Sequence, residues 1–208
     1  MRKIGLRRIL VLGLITVLAV GWYVAYRAVN QWYAPLLMPL NTVTYEMNAR
    51  VPIGPEPKNI LSPDGWEGYS YRVHEWEIVD TDAFLQEHQL SDPWKEDGGK
   101  PEKLLVVTAT VANENNALKD FSLYQLDVRT ELSNTFLSEE LCAELNEGVE
   151  YPADIFIPVT EEVTLTLPYG LRRSEFSGKH WRNLEDQPFY MTCHVTNEGW
   201  EKRIVPLT

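Results

Sequence analysis

The stretch LLVVTATVA, residues 104–112, constrains this chain more than any other. Nine apolar, small or β-branched residues run without a charge into Asn113, Glu114, Asn115 and Asn116. At a strand's period of two, Leu105, Val107, Ala109 and Val111 share one face, and Leu104, Val106, Thr108 and Thr110 the other. With both faces mostly apolar or β-branched, the segment reads as the central strand of a sheet, covered on both sides. It stops at Asn113, because Asn accepts turn backbone and can bond its own main chain.

The same period continues along the chain. GYSYRVHEWEIVDT, residues 68–81, places Tyr69, Tyr71 and Val73 in phase, but Trp76 and Ile78 fall on the opposite parity. A β-bulge near His74 and Glu75 restores a single buried face. Further strands are expected at 121–130, with Tyr124, Leu126 and Val128 in phase, and at 154–159. Others fall at 162–169, with Val163, Leu165 and Leu167 in phase, and at 187–197, with Phe189, Met191, Cys193 and Val195 in phase. A last one is read in 201–207. Residues 137–148 carry the one helix-like pattern, with Ser138 placed to cap it and Gly148 to end it. Residues 82–100 read as a polar loop, with a helical turn as the one regular element it could hold. Several strands separated by turn signals predict an all-β fold, an immunoglobulin-like β-sandwich following an N-terminal transmembrane helix.

That helix is expected at residues 9–26, ILVLGLITVLAVGWYVAY, 18 residues without a charge behind Arg2, Lys3, Arg7 and Arg8. The length approaches the roughly 20 residues that cross a bilayer, and basic residues on one side keep that side cytoplasmic. A cleaved signal peptide has a similar start, but Trp22, Tyr23, Val24, Ala25, Tyr26 and Arg27 make a poor cleavage site, so an uncleaved anchor is expected. The domain plan is a basic cytoplasmic tail at 1–8, the anchor at 9–26, a proline-rich stalk at 27–65 and an extracytoplasmic domain at 66–208. Within the stalk, NTVTYEMNARV alternates and could add an edge strand.

The whole chain carries −11, yet residues 1–30 hold five basic side chains and no acid, so 31–208 hold 14 basic against 30 acidic groups. An acidic domain repels phosphate backbones, which excludes nucleic acid as an expected partner. Cys142 and Cys193 are the only cysteines. Outside the cytoplasm they are candidates for a disulfide, and equally for two small core residues.

The order of these strands resembles the membrane-anchored or lipid-anchored immunoglobulin-like domains of Gram-positive bacteria. The likeness rests on a valine-rich strand ending in an Asn turn and on a later step, Ile155-Phe156-Ile157-Pro158, and it spans residues 66–169. It implies a fold and a surface location. It carries over no catalytic residue.

Motifs for chemistry are sparse. His74 and Trp76 should face away from Glu75 and Glu77, so they do not converge on a metal. Glu87 and His88 lack further ligands nearby. Asp80, Asp82, Asp92, Glu96 and Asp97 are too spread for a calcium loop. Cys193 and His194 point to opposite faces of a strand, against a nucleophile pair. The one basic patch beyond the anchor is LRRSEFSGKHWRN. Its Arg172, Arg173, Phe176, Lys179, His180 and Trp181 are the candidate partner-binding residues, or else a surface hairpin that balances an acidic domain. No cofactor and no enzyme activity are expected. The reading is a membrane-anchored module that binds a protein or envelope component. An accessory subunit of a transporter or immunity complex is the alternative, and an envelope hydrolase a lesser one.

Overall fold

A computed structural model describes residues 16, 20–24, 41–53, 67–95, 99–117, 120–130, 135–149, 154–193 and 201–207. The chain divides into two compact units, Met1–Leu40 and Asn41–Thr208. In the first, residues 16 and 20–24 are helical, and Val20, Trp22, Tyr23 and Val24 are exposed. Most of the expected anchor at 9–26 lies outside the described residues. Among those described, no helix is long and apolar enough to cross a membrane.

The second unit is built mainly of strands. A five-stranded sheet runs β2 (Val51–Pro52), β3 (Tyr69–Asp80), β4 (Lys103–Asn113), β9 (Glu162–Leu171), β7 (Phe136–Leu137). A four-stranded sheet runs β1 (Asn41–Thr44), β11 (Glu201–Pro206), β10 (Tyr190–Cys193), β6 (Leu126–Arg129). The short strands β5 (Phe121–Ser122) and β8 (Asp154–Ile155) pair with each other. Among the described residues neighbouring strands are antiparallel except β1, which lies parallel to β11. Both larger sheets contribute to one core: Tyr71, Val107 and Leu165 from the first, Val128, Met191 and Val205 from the second.

The expected central strand is β4, flanked by β3 and β9 along nearly its whole length. Its two apolar faces have different covers. Leu105, Val107, Ala109 and Val111 are fully buried in the shared core. Leu104 and Val106 lie under a second cluster, made by Phe84 and Leu85 of α1 (Thr81–His88) and Leu141 of α2 (Glu139–Leu145). Beyond that cover the outward residues become Thr108 and Thr110. Thr110 shares a 2.8 Å hydrogen bond with Thr164 on β9.

The bulge falls between Val73 and Glu75. It brings Trp76 and Ile78 opposite Val107 and Leu105, against the shared core. His74 sits in the bulge and is held at both ring nitrogens, 2.8 Å from Asn48 Oδ1 and 2.7 Å from Thr110 Oγ1.

Four expectations need correction. The folded unit starts at Asn41, not 66, because β1 and β2 from the supposed stalk pair with β11 and β3. The helical turn allowed within 82–100 is a full helix that begins at Thr81 and runs to His88. Asp80 Oδ1 accepts from the N–H groups of Asp82 and Ala83, and that cap starts α1. The strand expected at 121–130 is broken by a 3-10 turn, Leu123–Gln125, which leaves Tyr124 exposed and takes the chain from β5 into the four-stranded sheet. Finally, Ser138 does stand at the N-cap of α2, but its hydroxyl accepts no helix N–H.

Asn113 ends β4 by a stronger device than turn preference. Its side chain is 2 % exposed. The Nδ2 group donates to Ile157 O at 2.7 Å and Asn116 O at 2.8 Å, and lies 3.3 Å from Tyr69 Oη. Its Oδ1 accepts from Asn116 N at 2.8 Å. The backbone adds bonds from Asn113 N to Glu161 O and from Thr160 N to Asn113 O. The turn after β4 and the Phe156–Thr160 turn before β9 are thereby clamped together. Gly68 closes the same end at φ +94°, where a Cβ would lie 2.0 Å from Asn115 Oδ1. Removing the amide strands the buried Ile157 carbonyl, at about 1–3 kcal/mol, and leaves the part-buried Asn116 N–H without its acceptor. Asn113→Ala should therefore destabilise the fold by roughly 2–4 kcal/mol in chemical denaturation. A loss under about 0.5 kcal/mol, the scatter of ordinary surface changes, would contradict the clamp.

Candidate functional site

The chain's acids, basic loop and cysteines sort differently in space than along the sequence. Asp82 and Asp92 do converge, but on Lys100, whose Nζ lies 2.5 Å from Asp82 Oδ1 and 2.9 Å from Asp92 Oδ2. The Lys100 hydrogen bond holds the Asp92 carboxyl below its usual range, and the Asp82 bond, with that to Asp92, raises the lysine. Asp80 is spent on its cap. His88 stacks on Phe84, with ring centroids 4.3 Å apart. No group of three His, Cys, Asp or Glu side chains among the described residues is arranged to hold a metal ion.

The basic loop forms short helical turns, Arg173–Glu175, α3 (Gly178–Arg182) and Leu184–Asp186. Ser177 Oγ caps α3 by accepting from His180 N. Phe176 and Trp181 are half-buried. They stack at 5.9 Å, Phe176 meets the buried Phe189 at 6.4 Å, and both pack against the shared core. Arg172, Arg173 and Lys179 are exposed, and His180 is half-buried. The sequence placed six residues in one binding loop; the structure separates an aromatic plug from a scatter of exposed cations.

Cys142 and Cys193 are free thiols, so the candidate disulfide is not formed. They belong to different elements. Cys142 is fully buried on α2, beside Asn146, whose Nδ2 donates to Cys142 O at 2.7 Å. Asn146 also binds Thr166 of β9 reciprocally, at 2.8 Å and 2.7 Å, which fixes α2 against the strand edge. Cys193 is half-buried on β10 in the other sheet.

One concave site does form, where the end of β9 meets β7 and the start of α2. It encloses about 190 Å³. Trp94, Pro101, Phe136 and Leu137 give it apolar walls, and Ser138, Glu139, Glu140, Arg172 and Glu175 give it polar ones. Gly170 forms part of the lining, where a Cβ would press on Pro101 Cγ at 3.3 Å. A second hollow of about 270 Å³ lies beyond β7, lined by Tyr124, Asp127, Arg129 and Thr135, and it shares Phe136, Leu137 and Glu139 with the first. Phe136, 69 % exposed, thus borders both. Of the sequence candidates only Arg172 lines the first site. Trp94, Phe136, Ser138, Glu139 and Glu175 were missed, since pairings over 80 positions of chain bring them together and no local motif marks them.

The chain belongs to the family described as Domain of unknown function (DUF5028), whose pattern residues 42–196 match. Searches of curated proteins and of solved structures give no match.

Burial pushes the Cys142 thiol from 9.0 up to about 12, and burial likewise raises the Tyr71 and Tyr169 hydroxyls well above 10.0. All three groups keep protons in the folded state that the unfolded chain gives up. Their contribution to stability is complete below pH 9 and is lost as pH climbs towards 12. The melting temperature should therefore fall over that interval. At neutral pH a thiol reagent should label Cys193 alone in the native chain, and reductant should leave the melting temperature unchanged. A reductant-sensitive melt would restore the bridge.

Proposed function

We propose that the protein is a non-enzymatic binding module with an immunoglobulin-like sandwich, held outside the cytoplasm by a single N-terminal anchor. Strand order supports the sandwich. In immunoglobulin constant-type domains one sheet carries strands A, B, E and D and the other C, F and G. Taking β3, β4, β6, β7, β9, β10 and β11 as A to G reproduces both orders, A-B-E-D and C-F-G. The additional β1 lies beside the G position. The anchor rests on the apolar run at 9–26 and the basic residues before it.

The observation that carries a binding role is the walled site beside Phe136. Phe136, 69 % exposed, stands on the rim shared by the two hollows, where a partner seated in either would cover its ring. The partner is a protein or another component of the envelope.

Crosslinking of the full-length chain in its native membrane, followed by mass spectrometry, tests this reading. The expected crosslinks run from residues 66–208 to external or envelope components, with protease added from outside cutting the domain. Links confined to residues 9–32 and a stoichiometric membrane protein would instead make it an accessory subunit. A domain protected from external protease would overturn the topology.

A further inference from the structure

Of the large apolar side chains left exposed among the described residues of the second unit, two border one hollow. Tyr124 is 38 % exposed and Phe136 69 %. They come from separate elements: the 3-10 turn Leu123–Gln125 carries Tyr124, and β7 carries Phe136. The hollow between them, about 270 Å³, lies where the chain crosses from β6 to β7 and so from one sheet to the other. Apolar side chains scattered singly over a surface are ordinary, whereas apolar groups gathered together and rimmed by polar ones mark ligand-binding grooves.

The polar part of the lining is a matched pair. Asp127 and Arg129 stand two residues apart on β6, hence on one face of the strand, and both are half-buried. Arg129 Nε and Nη2 donate to Asp127 Oδ2 at 3.0 Å and 2.5 Å. Thr135 Oγ1 donates to Val128 O at 2.7 Å, so this residue serves as wall. Glu139 adds one further carboxylate, with its Oε2 sealed from solvent.

This lining selects its ligand. Asp127 and Arg129 offset each other's charge, and Glu139 works against an anion. The pair presents acceptors beside donors, which two neighbouring hydroxyls match, because each hydroxyl is donor and acceptor at once. Aromatic faces are negative and attract polarised C–H groups. A pyranose ring combines the two, with hydroxyls around its rim and C–H groups on its faces. About 270 Å³ is close to the roughly 300 Å³ at which small-molecule sites begin, which suits one such ring.

We propose that this hollow, bordered by Tyr124 and Phe136 and floored by Asp127 and Arg129, binds a neutral pyranose ring. Its C–H face lies against the aromatic side chains, and two adjacent hydroxyls meet the Asp127–Arg129 pair. The ring belongs either to a free sugar or to one residue of a polysaccharide. The inference rests on the reading of the domain as a binding module, and gives that module its ligand class.

The test is saturation-transfer NMR on the purified full-length protein, kept in a detergent without a sugar head group. The single rings are methyl β-glucopyranoside and N-acetylglucosamine, the chains cellotetraose and chitotetraose. Sorbitol, a polyol without a ring, is the control. Saturable transfer to the C–H protons of at least one ring, and none to sorbitol, is expected. Tighter binding of a chain than of its own ring points to a polysaccharide, equal affinity to a free sugar. Asp127→Asn should weaken ring binding about tenfold, as loss of a charged hydrogen bond implies. The exposed side chains allow variants that leave the fold alone: Phe136→Ala and Tyr124→Ala should each weaken binding by up to about tenfold. Absence of saturable transfer to either ring, equal transfer to sorbitol, or unchanged affinity in both aromatic variants would overturn the proposal. If no ring binds while crosslinks from residues 66–208 to envelope components persist, the ligand class is wrong and the module reading stands. If rings bind but external protease leaves the domain intact, the site stands and the topology falls.

Discussion

A single buried carboxamide sets the frame of this domain. The Asn113 side chain joins the turn after β4 to the turn before β9 and touches the Tyr69 hydroxyl at the start of β3. The three strands that form the middle of the larger sheet therefore meet at one polar point. A one-residue slip of any of them would turn its buried face outward, and it would also leave the amide facing the wrong carbonyls. Hydrophobic burial supplies most of the driving force. The amide selects the register in which that burial occurs, because an unmatched buried polar group costs more than a matched one contributes.

Register then positions everything downstream. β4 and β9 are in step for ten residue pairs, from Ala112–Glu162 to Lys103–Leu171. At the far end of that ladder Gly170 pairs with Phe136 and Tyr169 with Leu137, and α2 follows directly. Asn146 fixes the helix to Thr166. The pocket is thus assembled at the opposite end of the strand pair from the clamp.

The parts legible in the sequence are those where one residue's neighbours along the chain decide its environment. The buried faces of β4, the bulge at His74 and the in-phase Phe189, Met191 and Cys193 follow from a period of two and were read from it. The pairing of the Asn turn with the Ile157–Pro158 step was visible only as two motifs, and what joins them is tertiary. Short elements escaped for a different reason. β1 falls within the alternating NTVTYEMNARV, but proline-rich neighbours assigned that stretch to a stalk, and the two residues of β2 are too few for a pattern. α1 was legible only as a helical turn, because its buried Phe84 and Leu85 are adjacent with few other apolar residues, while its Asp80 cap looked like one acid among many. In the loop at 172–182 composition marked the exposed cations, but not that Phe176 and Trp181 pack against the core beside Phe189.

The most direct test of the clamp is native-state hydrogen exchange read at single amides. The account predicts that Asn116 N–H and Thr160 N–H, bonded to the Asn113 side chain and backbone, exchange only with the same global opening as Val107 and Ala109 in the core of β4. If both turn amides exchange far faster than the β4 core, the turns open independently of the strands, and the register is set by packing without the clamp.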